Sequence, residues 1–203
     1  MNRAAFYIDG FNLYHSFTSN RHKWLDIKKL AHNIVSSKER IVNICYFSAL
    51  CTWDADKCAR HQNLIDIYND FGVDITLGRF KKVDATCNKK ISYRFCDHRY
   101  QRHSEKQTDV NIAIRMLKDA YEDKIERAYL LSHDTDLIPA VKAIQSLGVK
   151  TMFLFPPETQ NAEEFKSIGM FRKLKESDYD NAILPDKIIL SDNRTIERPV
   201  QWR

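Results

Sequence analysis

Short apolar runs rich in β-branched and aromatic residues alternate with stretches of helical period along most of this chain, and no other feature limits its fold as strongly. "AAFYID" reads as a strand ending at Asp9-Gly10, and "LDIKKLAHNIV" follows with Leu25, Ile27, Leu30, Ile34 and Val35 close to a helical repeat. "RIVNICYFSAL" reads as a strand, "ADKCARHQNLIDIYNDFG" as a helix stopped by Gly72, and "VDITLGRF" as a third strand. "TDVNIAIRMLKDAYED" is expected to be a helix capped by Thr108, and "RAYLLS" a strand. "TDLIPAVKAIQSLG" then reads as a helix with Pro139 in its first turn, and "VKTMFLFP" as a last parallel strand. This order implies an α/β fold: a mostly parallel sheet of about five strands, helices on both faces, and right-handed crossovers.

Two segments depart from the alternation. Between Lys81 and His103 the pattern breaks into polar, basic pieces, including "KKISYRF", which are expected to form a hairpin-like insertion outside the sheet. From about Ser167 the chain is less regular, although "KIILSDNRTIE" reads as a small hairpin. The expected organisation is one globular unit over 1–160 with its insertion at 80–104, and a C-terminal extension over 161–203 packed on the same domain.

The N-terminus meets polar and acidic residues too early for a secretory signal. No apolar stretch approaches the roughly 18 residues of a membrane helix. A cytoplasmic location and no membrane partner are expected. Five cysteines, an odd number without a CxxC pair, fit reduced thiols. The net charge of +5 is unevenly spread: nine Lys/Arg face three acids between Arg79 and Lys106, so the rest of the chain is close to neutral. Lys81, Lys82, Lys89, Lys90, Arg94, Arg99, Arg102 and Lys106 are therefore candidate contacts to an anionic substrate. Tyr93, Phe95 and Tyr100 are interleaved with these charges. They could stack on unpaired bases or form the inner face of the hairpin.

In open α/β sheets ligands gather at the carboxyl ends of the strands. Asp9 closes the first strand, Asp134 and Asp136 follow the fourth, and Glu105 and Asp109 open the helix after the insertion. Clustered carboxylates repel one another unless a cation sits among them, and oxygen-only ligands suit Mg²⁺ or Mn²⁺. Hydrolysis of a phosphate ester is the chemistry such a rim supports. Asn12 could orient a phosphate or water, or cap a turn; Ser132 could fix the Asp134 loop or touch the substrate. One of Asp134 and Asp136 could be a helix cap, but Thr135 is also free to take that place.

The segments "YIDGFNLY", "EKQTDVNIAIRMLKDA" and "LLSHDTDLIPAVKAIQSLGVK" resemble, in order, the three motif blocks of NYN domains, the PIN-like nuclease family that includes LabA-like or DUF88 proteins. The resemblance spans roughly residues 3 to 155. It implies a PIN-like, Rossmann-like α/β fold and metal-dependent RNA cleavage. It also implies that Asp9, Asp109, Asp134 and Asp136 are the catalytic, metal-binding acids, with Asn12, Ser132 and Glu105 as supporting polar groups. Gln107 and His133 stand where the family commonly has glycine, departures that bear on loop geometry and substrate fit.

The expected function is thus that of a metal-dependent ribonuclease, an endonuclease hydrolysing RNA phosphodiester bonds at the acidic rim, with RNA as partner and Mg²⁺ or Mn²⁺ as cofactor. The alternatives are a structure-specific DNA endonuclease and a non-catalytic nucleic-acid-binding module; a homodimer is a further possible assembly. An aspartyl phosphatase fits poorly, because "DGFN" lacks a second acid just after the strand. His133 could donate to a phosphate or simply face solvent. Cys87, Cys96, His98 and His103 are zinc-competent residues without a compact knuckle spacing, so a structural Zn²⁺ is not expected. The sequence has no P-loop, dinucleotide glycine fingerprint or nucleophile elbow.

Overall fold

The computed structural model describes residues 1–87, 90–91, 94–95, 98–157 and 163–203, with only the backbone described at 90–91, 94–95 and 163. Strands β1 (Asn2–Asp9), β2 (Glu39–Ser48) and β3 (Asp74–Leu77) build one half of the main sheet. Helices α1 (Gly10–His15), α2 (Ile27–Ile34) and α3 (Ala55–Asp70) lie between them in sequence. A basic ribbon of β4 (Arg79–Thr86) and β7 (Arg99–Lys106) follows, with the short β5 (Lys90–Ile91) and β6 (Arg94–Phe95) between its arms. The chain then runs through α4 (Thr108–Tyr121), β8 (Arg127–Leu131), α5 (Ile138–Ser146), β9 (Lys150–Phe155), α6 (Glu163–Lys166) and β10 (Met170–Lys173). Helix α7 (Glu176–Asp180) and the antiparallel pair β11 (Lys187–Ile189) and β12 (Thr195–Glu197) end the fold.

The main sheet has six strands in the order β10-β9-β8-β1-β2-β3, and its neighbouring strands are parallel. The strand beyond the expected five is β10. It is a short edge strand whose residues are exposed or half-buried, so it carries no apolar run to betray it. "VDITLGRF" is two strands rather than one. At Gly78 the chain leaves the sheet for the ribbon, and a Cβ there would come within 2.5 Å of the Lys106 carbonyl oxygen. The glycine thus lets the two feet of the ribbon meet.

Alternation along β1 explains the two-sided core. Phe6 and Ile8 face one layer with Leu30, Ile67, Tyr179 and Trp202, while Ala5 and Tyr7 face the other with Ile112, Met116, Val141 and Ile144. The C-terminal segment closes the first layer: Trp24 is fully buried, lies beside Trp202, and donates its indole N–H to the Pro185 carbonyl at 2.8 Å. Among the described residues no helix is long and apolar enough to cross a membrane.

The strand order reverses at β1. From it the chain winds outward through β2 and β3, then restarts at β8 on the opposite side. Such a switch point opens a crevice beyond the carboxyl ends of the two central strands. Here Ile8 and Leu131 are the last partners in the β1–β8 register, so Asp9, the last residue of β1, and Ser132, just past β8, come side by side.

Candidate active site

Asp9 ends β1 and also caps the short helix α1. Its Oδ1 accepts from the Asn12 backbone N–H at 2.9 Å. Oδ2 accepts from the Ser132 hydroxyl at 3.1 Å and from the Asn12 amide. Gly10 follows because the Tyr46 ring occupies the space a side chain would need, 2.4 Å from an added Cβ. Ser132 in turn accepts from the Asp134 backbone N–H at 3.1 Å and from the Asn12 amide nitrogen at 3.2 Å. Asn12 thereby spends its amide N–H groups within the protein, and Ser132 ties the Asp134 loop to Asp9.

Asp134 caps the single 3₁₀ turn Thr135–Leu137 that leads into α5, its Oδ1 accepting from the Asp136 N–H at 2.9 Å. Of the capping residues the sequence leaves open, Asp134 takes the place and Thr135 does not. An aspartate at this position accepts from the second N–H beyond it, the preferred capping geometry. Thr108 is likewise not a cap. It is the first residue of α4, and its hydroxyl reaches back to Glu105 Oε1 at 2.5 Å, while Gln107 takes the capping position in a left-handed conformation with φ of 81°.

Asp9, Asn12, Glu105, Thr108, Asp109 and Asp134 line one cleft of about 320 Å³, together with Phe11 from α1 and Arg102, His103 and Lys106 from the ribbon. Ser132 is buried behind it, and Asp136 and His133 are exposed beside it. The acids feel one another. Burial pushes the Glu105 carboxyl up to about 7 against the help of Thr108, with Asp9 and Asp109 adding repulsion. Burial, then Asp134, Asp9 and Asp136, raise Asp109 to about 6. Asp9 is raised as well, by burial first and Asp134 in addition, although its hydrogen bonds oppose the shift.

A contrast singles out Asp9. The buried carboxylates among the described residues are Asp9, Glu39 and Asp119. Glu39 is ion-paired with Arg127, and Asp119 with Arg115 at 2.8 Å. The hydrogen-bond donors to Asp9 are all neutral. Among the described residues no three His, Cys, Asp or Glu side chains are drawn together as a ready-made metal cage.

The substrate-binding candidates divide. Arg102 and Lys106 reach the cleft; Lys81 and Lys82 are exposed on β4 outside it. Arg99 lines a separate hollow of about 530 Å³ farther along the ribbon with Asp84 and Tyr100. Lys89, Tyr93 and Cys96 lie outside the described residues, and the side chains of Lys90, Arg94 and Phe95 are not described. Cys87 is a free thiol, His98 is exposed, and His103 stacks on Trp53 at 3.5 Å. The contribution of Phe11 and Trp53 to this region was missed in the sequence. The one signal for Trp53 was an indole in the polar stretch "CTWDADK".

A family model for the NYN domain matches residues 3–169. The chain is a member of the NYN domain family. NYN domains form part of the PIN-like nuclease superfamily, whose members generally interact with nucleic acids, and the parallel sheet with its ribbon insertion fits that arrangement. One curated relative is the 6-hydroxy-3-succinoylpyridine 3-monooxygenase HspA of Pseudomonas putida (strain DSM 28022 / S16), 23% identical over 190 residues. That match takes in 78% of this chain and 61% of the relative, so the NYN chain spans less than two thirds of its length. Among solved structures, a protein of unknown function from Vibrio parahaemolyticus RIMD 2210633 shares the fold. It aligns with a TM-score of 0.55 and 14% identity, over 90% of this chain and 96% of that one.

Proposed function

We propose that this NYN protein is a metal-dependent ribonuclease, acting as an endonuclease that hydrolyses RNA phosphodiester bonds in the acidic cleft at the β1–β8 switch point. One observation carries the reading: Asp9, a buried carboxylate with only neutral donors, shares its cleft with Glu105, Asp109 and Asp134. Carboxylates that raise one another's pKa values are the electrostatic environment a cation would relieve.

The donor set fits a hydrated divalent ion. Mg²⁺ keeps several of its waters and needs one or two carboxylates, so it does not require a closed protein cage. Asp9, Asp109 and Asp134 would hold it, with Asp136 and Glu105 beside them. Such an ion supplies Lewis-acid polarisation of the phosphate and a more acidic water. The chain's own groups do the positioning. Ser132 and Asn12 fix Asp9 in place, Ser132 also fixes the Asp134 loop, and Arg102 and Lys106 attract the phosphates. Carboxylates and cations facing one cleft match phosphodiester chemistry better than the pyridine oxygenation in the name of the Pseudomonas relative.

The test is a cleavage assay on a broad panel of 5′-labelled RNAs with Mg²⁺, Mn²⁺ or EDTA, comparing wild type with Asp109→Asn. The expected result is divalent-dependent cutting that the variant reduces by at least about 100-fold, more than the loss usual for a group outside the coordination sphere, with RNA binding retained. Equal activity of the two proteins at matched purity would overturn the reading. Matched DNA substrates in the same assay decide between ribonuclease and DNA endonuclease. Binding without cutting would favour a non-catalytic module.

A further inference from the structure

Three segments far apart in sequence bring aromatic rings together beside the acidic cleft. Trp53, from the loop between β2 and α3, stacks on His103 of the ribbon with centroids 3.5 Å apart and planes 4° from parallel. Its ring also meets Phe80 edge-to-face at 4.8 Å, and Phe80 meets Phe11 of α1 at 6.2 Å. Phe11 packs on His15 at 4.3 Å. This group is partly open to solvent: Trp53 is 44% exposed and Phe11 40%, whereas Trp24 and Trp202 are 0% and 5% exposed.

We infer that Phe11, Trp53, Phe80 and His103 form a stacking platform for the unpaired bases of a single RNA strand passing into the cleft. The inference rests on the cleft being the ribonuclease site, and it specifies the strandedness of the substrate. Phe11 and His103 line that cleft together with Asp9 and Asp109, so the platform and the acids share one surface. Charge identifies the occupant. Arg102 and Lys106 line the same cleft, placing phosphate-attracting groups beside exposed aromatic faces, the combination that tracks a single strand through backbone and bases at once. In a duplex the bases already stack on one another and are withheld from such rings.

The same contacts also pin the ribbon to the body of the domain, so the test must read something that pinning would not move. Trp24 and Trp202 are buried, which makes Trp53 the tryptophan whose fluorescence a bound base would quench. An unstructured ten-nucleotide RNA, the same backbone without bases, and a duplex RNA are titrated into the full chain in EDTA, which suppresses cutting. The base-bearing single strand is expected to quench the fluorescence and bind more tightly than the abasic strand. Trp53→Ala should weaken binding of the base-bearing strand about tenfold, the loss typical of one stacked base, while leaving abasic binding unchanged. Trp53→Phe should restore most of the affinity. Equal affinity of wild type for the two strands, equal quenching by duplex, or parallel losses on both strands with Trp53→Ala would each overturn the platform. Base-dependent quenching without any cleavage would sink the ribonuclease reading alone; cleavage without it would sink the platform alone.

Discussion

The Ser132 hydroxyl donates to Asp9 Oδ2 at 3.1 Å although 123 positions separate the two residues. Both are buried, and the hydroxyl also receives the Asp134 N–H, so one atom couples the ends of the two central strands. Ser132→Ala would leave the Asp9 carboxylate short of a donor and the Asp134 N–H without its acceptor. Leaving such groups unsatisfied costs about 1–3 kcal/mol. Urea denaturation should give a loss in that range with an unchanged m-value, and a neutral result would show that the hydroxyl is dispensable to the rim.

Glu105 supplies a pH signature. Its folded pKa, about 7, lies above the ordinary value of 4.5, so between these limits the folded protein binds more protons than the unfolded chain. Stability from this group therefore falls as pH rises through the window. Carboxylates elsewhere with lowered pKa values act in the opposite sense, so the informative quantity is a difference between proteins. The Tm of Glu105→Gln minus that of wild type should grow from pH 4.5 to pH 7.5 in EDTA. A difference that stays flat would mean that neither burial nor its neighbours' charge raises Glu105 in the folded protein.

Gln107 adopts φ of 81°, where a side chain is strained, and it stands where the resemblance puts glycine. His133, the other departure, is absent from the positive-φ residues among those described. The two departures therefore differ physically. Gln107→Gly should stabilise the protein by about 1 kcal/mol, measured by thermal or urea unfolding, whereas His133→Gly should bring no such gain. Destabilisation by Gln107→Gly would mean that its side chain holds the start of α4 by contacts that outweigh the strain.

These positions also mark how far the sequence could be read. The alternation of apolar strands and helical faces specifies the parallel sheet because burial on both faces demands it. The four aspartates were legible as strand-end and helix-start acids. That β1 and β8 are neighbours was not, since the strand order is set by packing between distant segments. Nor was the division between Asp134, which lines the cleft and caps a turn, and Asp136, which is exposed and lends its N–H. Both follow a strand at nearly the same place, and only the path of the 3₁₀ turn separates them. Strand β10 escaped because an exposed edge strand needs no apolar pattern, and Trp53 because its ring partners, Phe80 and His103, lie on the distant ribbon.

The ribbon register sorts its charges. Residue alternation from the pairs Arg79–Lys106, Lys81–Ser104 and Val83–Arg102 puts Arg79, Lys81, Arg102 and Lys106 on one face, with Phe80, Lys82, His103 and Glu105 on the other. Arg102 and Lys106 nevertheless line the cleft beside His103 and Glu105, along the edge of β7. A strand whose bases stack on the second face while its phosphates run over that edge to the first predicts that replacing Lys81, Arg102 and Lys106 with glutamine weakens RNA binding. The slope of log affinity against log salt should also become shallower by about 2, as expected for three lost contacts to a single strand. Replacing Lys82 alone should change the slope little. An unchanged slope in the triple variant would place the strand elsewhere.

Asp134 allows charge and capping to be separated. Its Oδ1 holds the Asp136 N–H, and its charge helps to raise Asp109. Asparagine caps about as well as aspartate, whereas alanine loses about 1 kcal/mol. Asp134→Asn should therefore keep wild-type stability while lowering the pKa of Asp109, read by carboxyl NMR titration in EDTA. It should also reduce divalent-dependent cleavage, since Asp134 would be an ion-holding acid. Asp134→Ala should show the same loss of cleavage with the added instability. If Asp134→Asn retained full cleavage while Asp134→Ala lost it, the residue would be a cap whose carboxylate the chemistry does not need, and the holding of an ion would fall to Asp9 and Asp109.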